Sequence, residues 1–80
     1  MLSQLETAKR VVGVKQVRRA ILAGECGAVF LADDADPALT EPLQALCQAR
    51  GIEIVRVSAM KRLGAACGIA VGAACAAIVR

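Results

Sequence analysis

Five apolar residues in a row, Ala28-Val29-Phe30-Leu31-Ala32, run directly into Asp33-Asp34-Ala35-Asp36-Pro37. A strand with one face in water alternates apolar and polar side chains. A strand without alternation must be covered on both faces. In a chain of 80 residues, a sheet with two covers uses up the length of one domain. The stretch that follows marks the end of the strand. Asp36 suits a helix N-cap, and Pro37 suits the first helical position, where an amide hydrogen has no helical partner anyway. A strand that passes at once into a helix is the unit of layered α/β folds.

The same rhythm runs along the rest of the chain. Ser3-Gln4-Leu5-Glu6 has the form of a capping box, followed by a short helix over about residues 4–9. Val11 and Val12 are β-branched and predict a short strand before Gly13. Gly13 opens a second helix over about residues 14–23. Its Val14, Val17, Ala20 and Ile21 share one face, while Lys15, Arg18 and Arg19 share another. Gly24 is placed to stop it. The helix from Pro37 turns Leu39, Leu43, Leu46 and Cys47 inward and ends at Gly51. Residues 52–57 read as a second strand. Ser58 is placed to cap a fourth helix over about 59–67, and 73–79 reads as the last strand. The alternation predicts a single domain over 1–80: a three-layer α/β/α sandwich with a small mixed sheet of about four strands.

Composition limits the chemistry. The chain is 58% hydrophobic, but much of this is alanine and Phe30 is the only aromatic residue. There is no His, Tyr or Trp, so Ser-His-Asp and Cys-His catalysis cannot be built within one chain. The hydroxyls are Ser3, Thr7, Thr40 and Ser58, and none has a base near it in sequence. Neither GxGxxG nor GxxxxGK[ST] occurs. Asp33, Asp34 and Asp36 do not lay out octahedral ligands for Mg²⁺ and read as a solvated loop plus an N-cap. The expectation is a protein that is not an enzyme and holds no cofactor or metal.

Cys26, Cys47, Cys67 and Cys75 form no CxxC pair. Without histidine they support neither a zinc site nor a redox motif of the thioredoxin type. Reduced thiols are expected. The alternative is a redox-sensitive thiol beside a cation, with Cys67, five residues after Arg62, as its nearest candidate. The first eight residues lack the form of a secretory leader, so a cytoplasmic location is expected. Residues 63–79 carry no charge, and Gly64, Gly68 and Gly72 repeat at the spacing of packed transmembrane helices. The stretch is only 17 residues of mostly Ala and Gly, so it reads instead as a short helix, a turn and a buried strand.

Charge is sorted into blocks. Residues 1–24 hold Glu6 against Lys9, Arg10, Lys15, Arg18 and Arg19, a net +4. Residues 25–53 hold six acids against Arg50, a net −5. Residues 54–80 hold Arg56, Lys61, Arg62 and Arg80 with no acid, a net +4. Two basic blocks meeting on one side of a compact fold make a surface that attracts polyanions, RNA or DNA first among them. Single-strand binders stack bases on exposed aromatic rings. Phe30 is in a covered strand, so recognition here must use backbone amides, cations, Gln16 and small apolar contacts. Gly13-Val14-Lys15-Gln16-Val17-Arg18-Arg19 is the most loaded segment, a basic helix start whose free amides suit phosphate. The Gln16 carboxamide both donates and accepts, as base-edge readout requires.

From Ser3 to Val79 the chain resembles the bacterial members of the L-seven-A-e / L-thirty-e ribosomal protein family, which bind kink-turn RNA. The resemblance is carried by Gly13-Val14-Lys15-Gln16 with Arg19-Ala20, by Ala32-Asp33-Asp34-Ala35-Asp36-Pro37 and by Gly51-Ile52. Ser58-Ala59-Met60-Lys61-Arg62-Leu63-Gly64 and Cys67-Gly68-Ile69-Ala70-Val71-Gly72-Ala73-Ala74 complete it. It implies the same α/β/α fold. It also implies RNA contact by Gly13, Val14, Lys15, Gln16 and Arg19 at tandem sheared G·A pairs, and by Val57, Ser58, Ala59 and Met60 at a flipped-out nucleotide. Arg18, Lys61 and Arg62 add charge. Archaeal members carry Asn-Glu where this chain has Lys15-Gln16; bacterial members tend to carry Lys-Gln. The implied partner is structured RNA with a kink-turn, in ribosomal RNA or a riboswitch, on the ribosome or free of it; a monomer without a membrane partner is the separate expectation. The alternative is a protein–protein scaffold on the same fold, its basic patch only a solvated face.

Overall fold

Side chains of the central apolar strand divide between two cores. Ala28, Phe30 and Ala32 pack with Leu5, Leu63 and Cys67 on one face of the sheet. Val29 and Leu31 pack with Val17, Ile21, Leu43 and Cys47 on the other. The chain is seen in a computed structural model that describes residues 4–80. The capping box expected at Ser3 lies outside the described residues.

Helices and strands alternate as predicted: α1 (Gln4–Thr7), β1 (Arg10–Val12), α2 (Val14–Leu22), β2 (Cys26–Ala32), α3 (Pro37–Arg50), β3 (Glu53–Val57), α4 (Met60–Ala66) and β4 (Cys75–Val79). The sheet order is β1-β4-β2-β3. β4 runs antiparallel to both β1 and β2, and β2 runs parallel to β3. With α2 and α3 on one face and α1 and α4 on the other, the architecture is the expected three-layer sandwich. Residues 26 and 28 belong on one face by strand parity, yet Cys26 joins one core and Ala28 the other. Gly27 causes this: the pairing with β4 shifts there, as at a β-bulge.

Three local expectations are corrected. Leu39 does not turn inward; it is 44% exposed. The buried stripe of α3 is Thr40, Leu43 and Cys47, at i, i+3, i+7 spacing, and Leu39 lies one position off it. Ser58 does not cap α4. The N-cap position is Ala59, whose methyl group cannot accept a hydrogen bond, and Asp34 Oδ1 instead accepts the Met60 amide at 2.7 Å. Cys67 is not poised beside Arg62. It is 3% exposed; burial raises its pKa, and the cation that opposes this is Arg10. All four cysteines are free and buried.

Among the described residues no helix is long and apolar enough to cross a membrane. The uncharged stretch is α4, a loop and β4. Its glycines let the loop lie against the helix. A Cβ on Gly64 would collide with the Val71 carbonyl, and one on Gly72 would come within 3.1 Å of the Met60 Cβ.

Candidate nucleic-acid interface

Strand directions decide where the helices begin. β4 opposes β1 and β2, so its first residues lie beside the last residues of those strands, and β3 ends beside β2. α2, α3 and α4 follow β1, β2 and β3 after short loops. All three therefore start at one edge of the sheet, around the beginning of β4. This is the end of an open α/β sheet at which ligands usually bind.

Two backbone bonds bring the sequence-distant segments together there. The Gly13 N–H donates to the Cys75 carbonyl at 3.2 Å, and the Ala73 N–H donates to the Met60 carbonyl at 3.0 Å. The starts of α2 and α4 are thus tied to positions two residues apart. Gly13 has φ 104°, a conformation that disfavours any side chain. A Cβ there would also lie 3.0 Å from Gln16 Oε1, because the Gln16 carboxamide folds back over the helix start. No side chain caps α2, so its first-turn amides have no side-chain acceptor.

The residues singled out in the sequence take different places on this edge. Lys15, Gln16, Arg18 and Arg19 are all exposed on α2, and Val14 is half-buried. Gln16 and Arg19 line the flank towards β1, whereas Arg18 also borders a groove against α3. Ser58, Lys61 and Arg62 are exposed, and Ala59 and Met60 are half-buried. Arg62 donates to Ser58 Oγ at 3.3 Å. The Val57 side chain is 3% exposed and belongs to the core, which leaves only its backbone at the surface.

Not every cation of the basic blocks is free. Arg10 donates to the Cys67 carbonyl at 2.7 Å, at the C-terminal end of α4 where a positive charge is favoured. Arg56 is bound to Gln44 and sits 3.7 Å from Asp33. The three neighbouring carboxylates are turned to separate partners: Asp33 to Arg56, Asp34 to the Met60 amide and Asp36 to the Ala38 amide.

Sequence reasoning passed over two features of this edge. Asp34 read as part of a solvated loop; its role as the cap of α4 spans 26 residues and leaves no local signature. Ile69 and Val71, 37% and 71% exposed, stand in the loop that rests on Met60. The signal was present as two apolar residues in a glycine-bounded turn, Gly68-Ile69-Ala70-Val71-Gly72. A turn that lifts large apolar side chains into water marks a contact surface. The edge therefore combines the uncapped amides of α2, exposed cations, one carboxamide and an apolar knob, with no aromatic ring.

The chain is similar along nearly its whole length to proteins named as RNA-binding. The chain is 42% identical over 76 residues to the RNA-binding protein YbxF of Geobacillus stearothermophilus, covering 95% of this chain and 93% of the relative. It is 45% identical over 69 residues to an RNA-binding protein of Bacillus pumilus, covering 86% and 84%. The structure of the Giardia lamblia 15.5kD RNA binding protein superposes with a TM-score of 0.90 at 25% identity, over 99% of this chain and 70% of that one. Residues 2–80 match the family model itself, and the chain belongs to the ribosomal protein L7Ae/L30e/S12e/Gadd45 family.

Proposed function

We propose that this protein binds structured RNA, docking on kink-turn-like internal loops with tandem sheared G·A pairs and holding them in their bent form. The observation that carries the reading is the joining of Gly13 and Met60 to the same stretch before and into β4. It sets two cationic segments, far apart in the chain, on one edge. Relatives named as RNA-binding proteins at 41–45% identity support it.

In this reading Gly13 and Val14 allow close backbone approach. Lys15 and Gln16 meet the G·A edges, and Gln16 offers a neutral acceptor to a guanine amine. Ser58, Ala59 and Met60, with Ile69 and Val71 beside them, receive an extruded base by apolar contact. Arg18, Arg19, Lys61 and Arg62 neutralise phosphate. The protein acts by binding, not by catalysis. Titration of the purified chain with an RNA carrying tandem G·A pairs, beside a fully Watson–Crick-paired control, tests it. Tight binding of the first and weak binding of the second is expected; equal binding of the two removes the kink-turn assignment, and no binding of either removes RNA altogether. The scaffold reading rests on the exposed Leu22 and Leu39 of α2 and α3. It gains ground only in that last outcome.

A further inference from the structure

The flank of α2 that faces β1 carries a depression of about 270 Å³ that begins at the edge just described and runs away from it. Its rim holds Lys9, Gln16, Arg19, Glu25 and Arg80. Strand parity explains the assembly. Arg10 and Val12 point to the α4 side of the sheet, so Lys9 and Val11 point to the α2 side. Three backbone bonds fix the rim. The Val79 N–H donates to the Lys9 carbonyl at 3.0 Å, the Arg80 N–H to the Glu25 carbonyl at 2.8 Å, and the Glu25 N–H to the Ala20 carbonyl at 3.1 Å.

Three cations and one carboxylate thus share this rim, Arg19 on α2 and the other three at backbone positions held by these bonds. None of them is neutralised internally: among the described residues the one ion pair within 4.0 Å is Arg56 with Asp33. Like charges held together in this way favour a polyanion that covers them all. Gln16 and Arg19 belong both to this depression and to the proposed RNA edge, so the two surfaces are continuous. Lys9 precedes Gly13 by four residues of nearly extended chain, which places it about 13 Å from the start of α2. A partner seated on Gly13 reaches the depression only if it extends in that direction, as the duplex stem of an RNA loop does.

We propose that this depression holds the phosphate backbone of the RNA duplex that continues from the docked internal loop. The inference rests on the function proposed above and adds a second contact zone to it. Lys9, Arg19 and Arg80 contact phosphate oxygens there. Such contacts position the duplex without reading its sequence. Glu25 works against them, setting an upper limit on how tightly the stem is held.

The test uses two RNAs with the same internal loop, one with a long stem and one with that stem trimmed away. The Lys9→Ala/Arg80→Ala double variant is expected to bind the long-stem RNA about five- to tenfold more weakly. It should bind the trimmed RNA as the wild type does. Its log–log salt slope on the long-stem RNA becomes shallower by about 1.5–2. Glu25→Gln is expected to tighten binding of the long-stem RNA alone by about two- to threefold, a gain that damage to the fold would not produce. Unchanged binding of the long-stem RNA by the double variant overturns the inference. An equal loss on both RNAs also overturns it, since the cations then act at the loop. In both cases a wild type that still prefers the internal loop to a paired control, and a Gln16→Ala variant that is still impaired, leave the proposed function standing. A wild type without that preference removes both.

Discussion

The Asp34 carboxylate accepts the backbone N–H of Met60 at 2.7 Å, across 26 residues of chain. The first turn of α4 is therefore capped from the loop after β2 and not by the serine that precedes it. The bond ties two of the three loops at the candidate interface to each other. It also leaves Ser58 Oγ to receive Arg62.

Asp34→Ala is expected to destabilise the fold by about 1 kcal/mol, the usual cost of losing an N-cap. Asn at the same position keeps an acceptor and recovers part of this. Urea denaturation of the three proteins measures it. RNA affinity should fall with stability in the same order, because the segment from Ser58 to Met60 loses its anchor.

Gly64→Ala places a methyl group against the Val71 carbonyl and the Gly72 Cα, both backbone. Neither can move without shifting the loop. The expected loss is about 1–3 kcal/mol, the range for overpacking a buried position. Thermal unfolding of the variant reads it directly.

Gln16 and Arg18 lie on opposite flanks of the exposed face of α2. Gln16→Ala is expected to weaken binding to RNA with tandem G·A pairs and to leave its weak affinity for plain duplex unchanged. Arg18→Ala should weaken both about equally, since a phosphate contact carries no sequence information. Fluorescence anisotropy with the two RNAs gives the comparison, and a reversed pattern rejects this division of roles.

With about three to five phosphates neutralised by the edge itself, log affinity should fall against log salt with a slope of about −2 to −4. A titration series in KCl measures it. A slope near zero would assign binding to the apolar loop at Ile69 and Val71.

Burial raises the pKa of all four thiols, and that of Cys75 goes from 9.0 to about 11. The folded chain then binds the thiol proton more tightly than the unfolded chain. The resulting stabilisation is whole below about pH 9 and is lost as pH rises towards 11. Denaturation curves between those limits should show falling stability, and Cys75→Ala should make that fall less steep.

The layer order was legible because the two central strands, β2 and β4, contain no charged residue and the helix ends are marked by Gly24, Asp36-Pro37 and Gly51. Each of these acts on its own neighbours, so sequence shows it. The inward face of α3 was misjudged at Leu39, since the neighbouring Thr40 has the better position and hydropathy alone favours leucine. The cap of α4 was misjudged for another reason: Asp34 and Met60 are neighbours only after the sheet forms. The cations divided in the same way. Arg10 and Arg56 look like Lys15 and Arg62 in sequence, but the first reaches the end of α4 and the second reaches Asp33 and Gln44. Local chemistry located the candidate interface; tertiary pairing decided which charges remain available to it.

β4 is made after the other seven described elements, and it occupies the interior of the sheet between β1 and β2. Until it is synthesised, those two strands have no hydrogen-bonded neighbour in common, and the carbonyl that anchors Gly13 does not exist. The nascent chain can collapse and form helices earlier, but the long-range pairing that joins β1 to β2 is deferred until β4 has been made. A polypeptide that stops before Cys75 would therefore carry nearly all of these cations and no organised surface on which to present them.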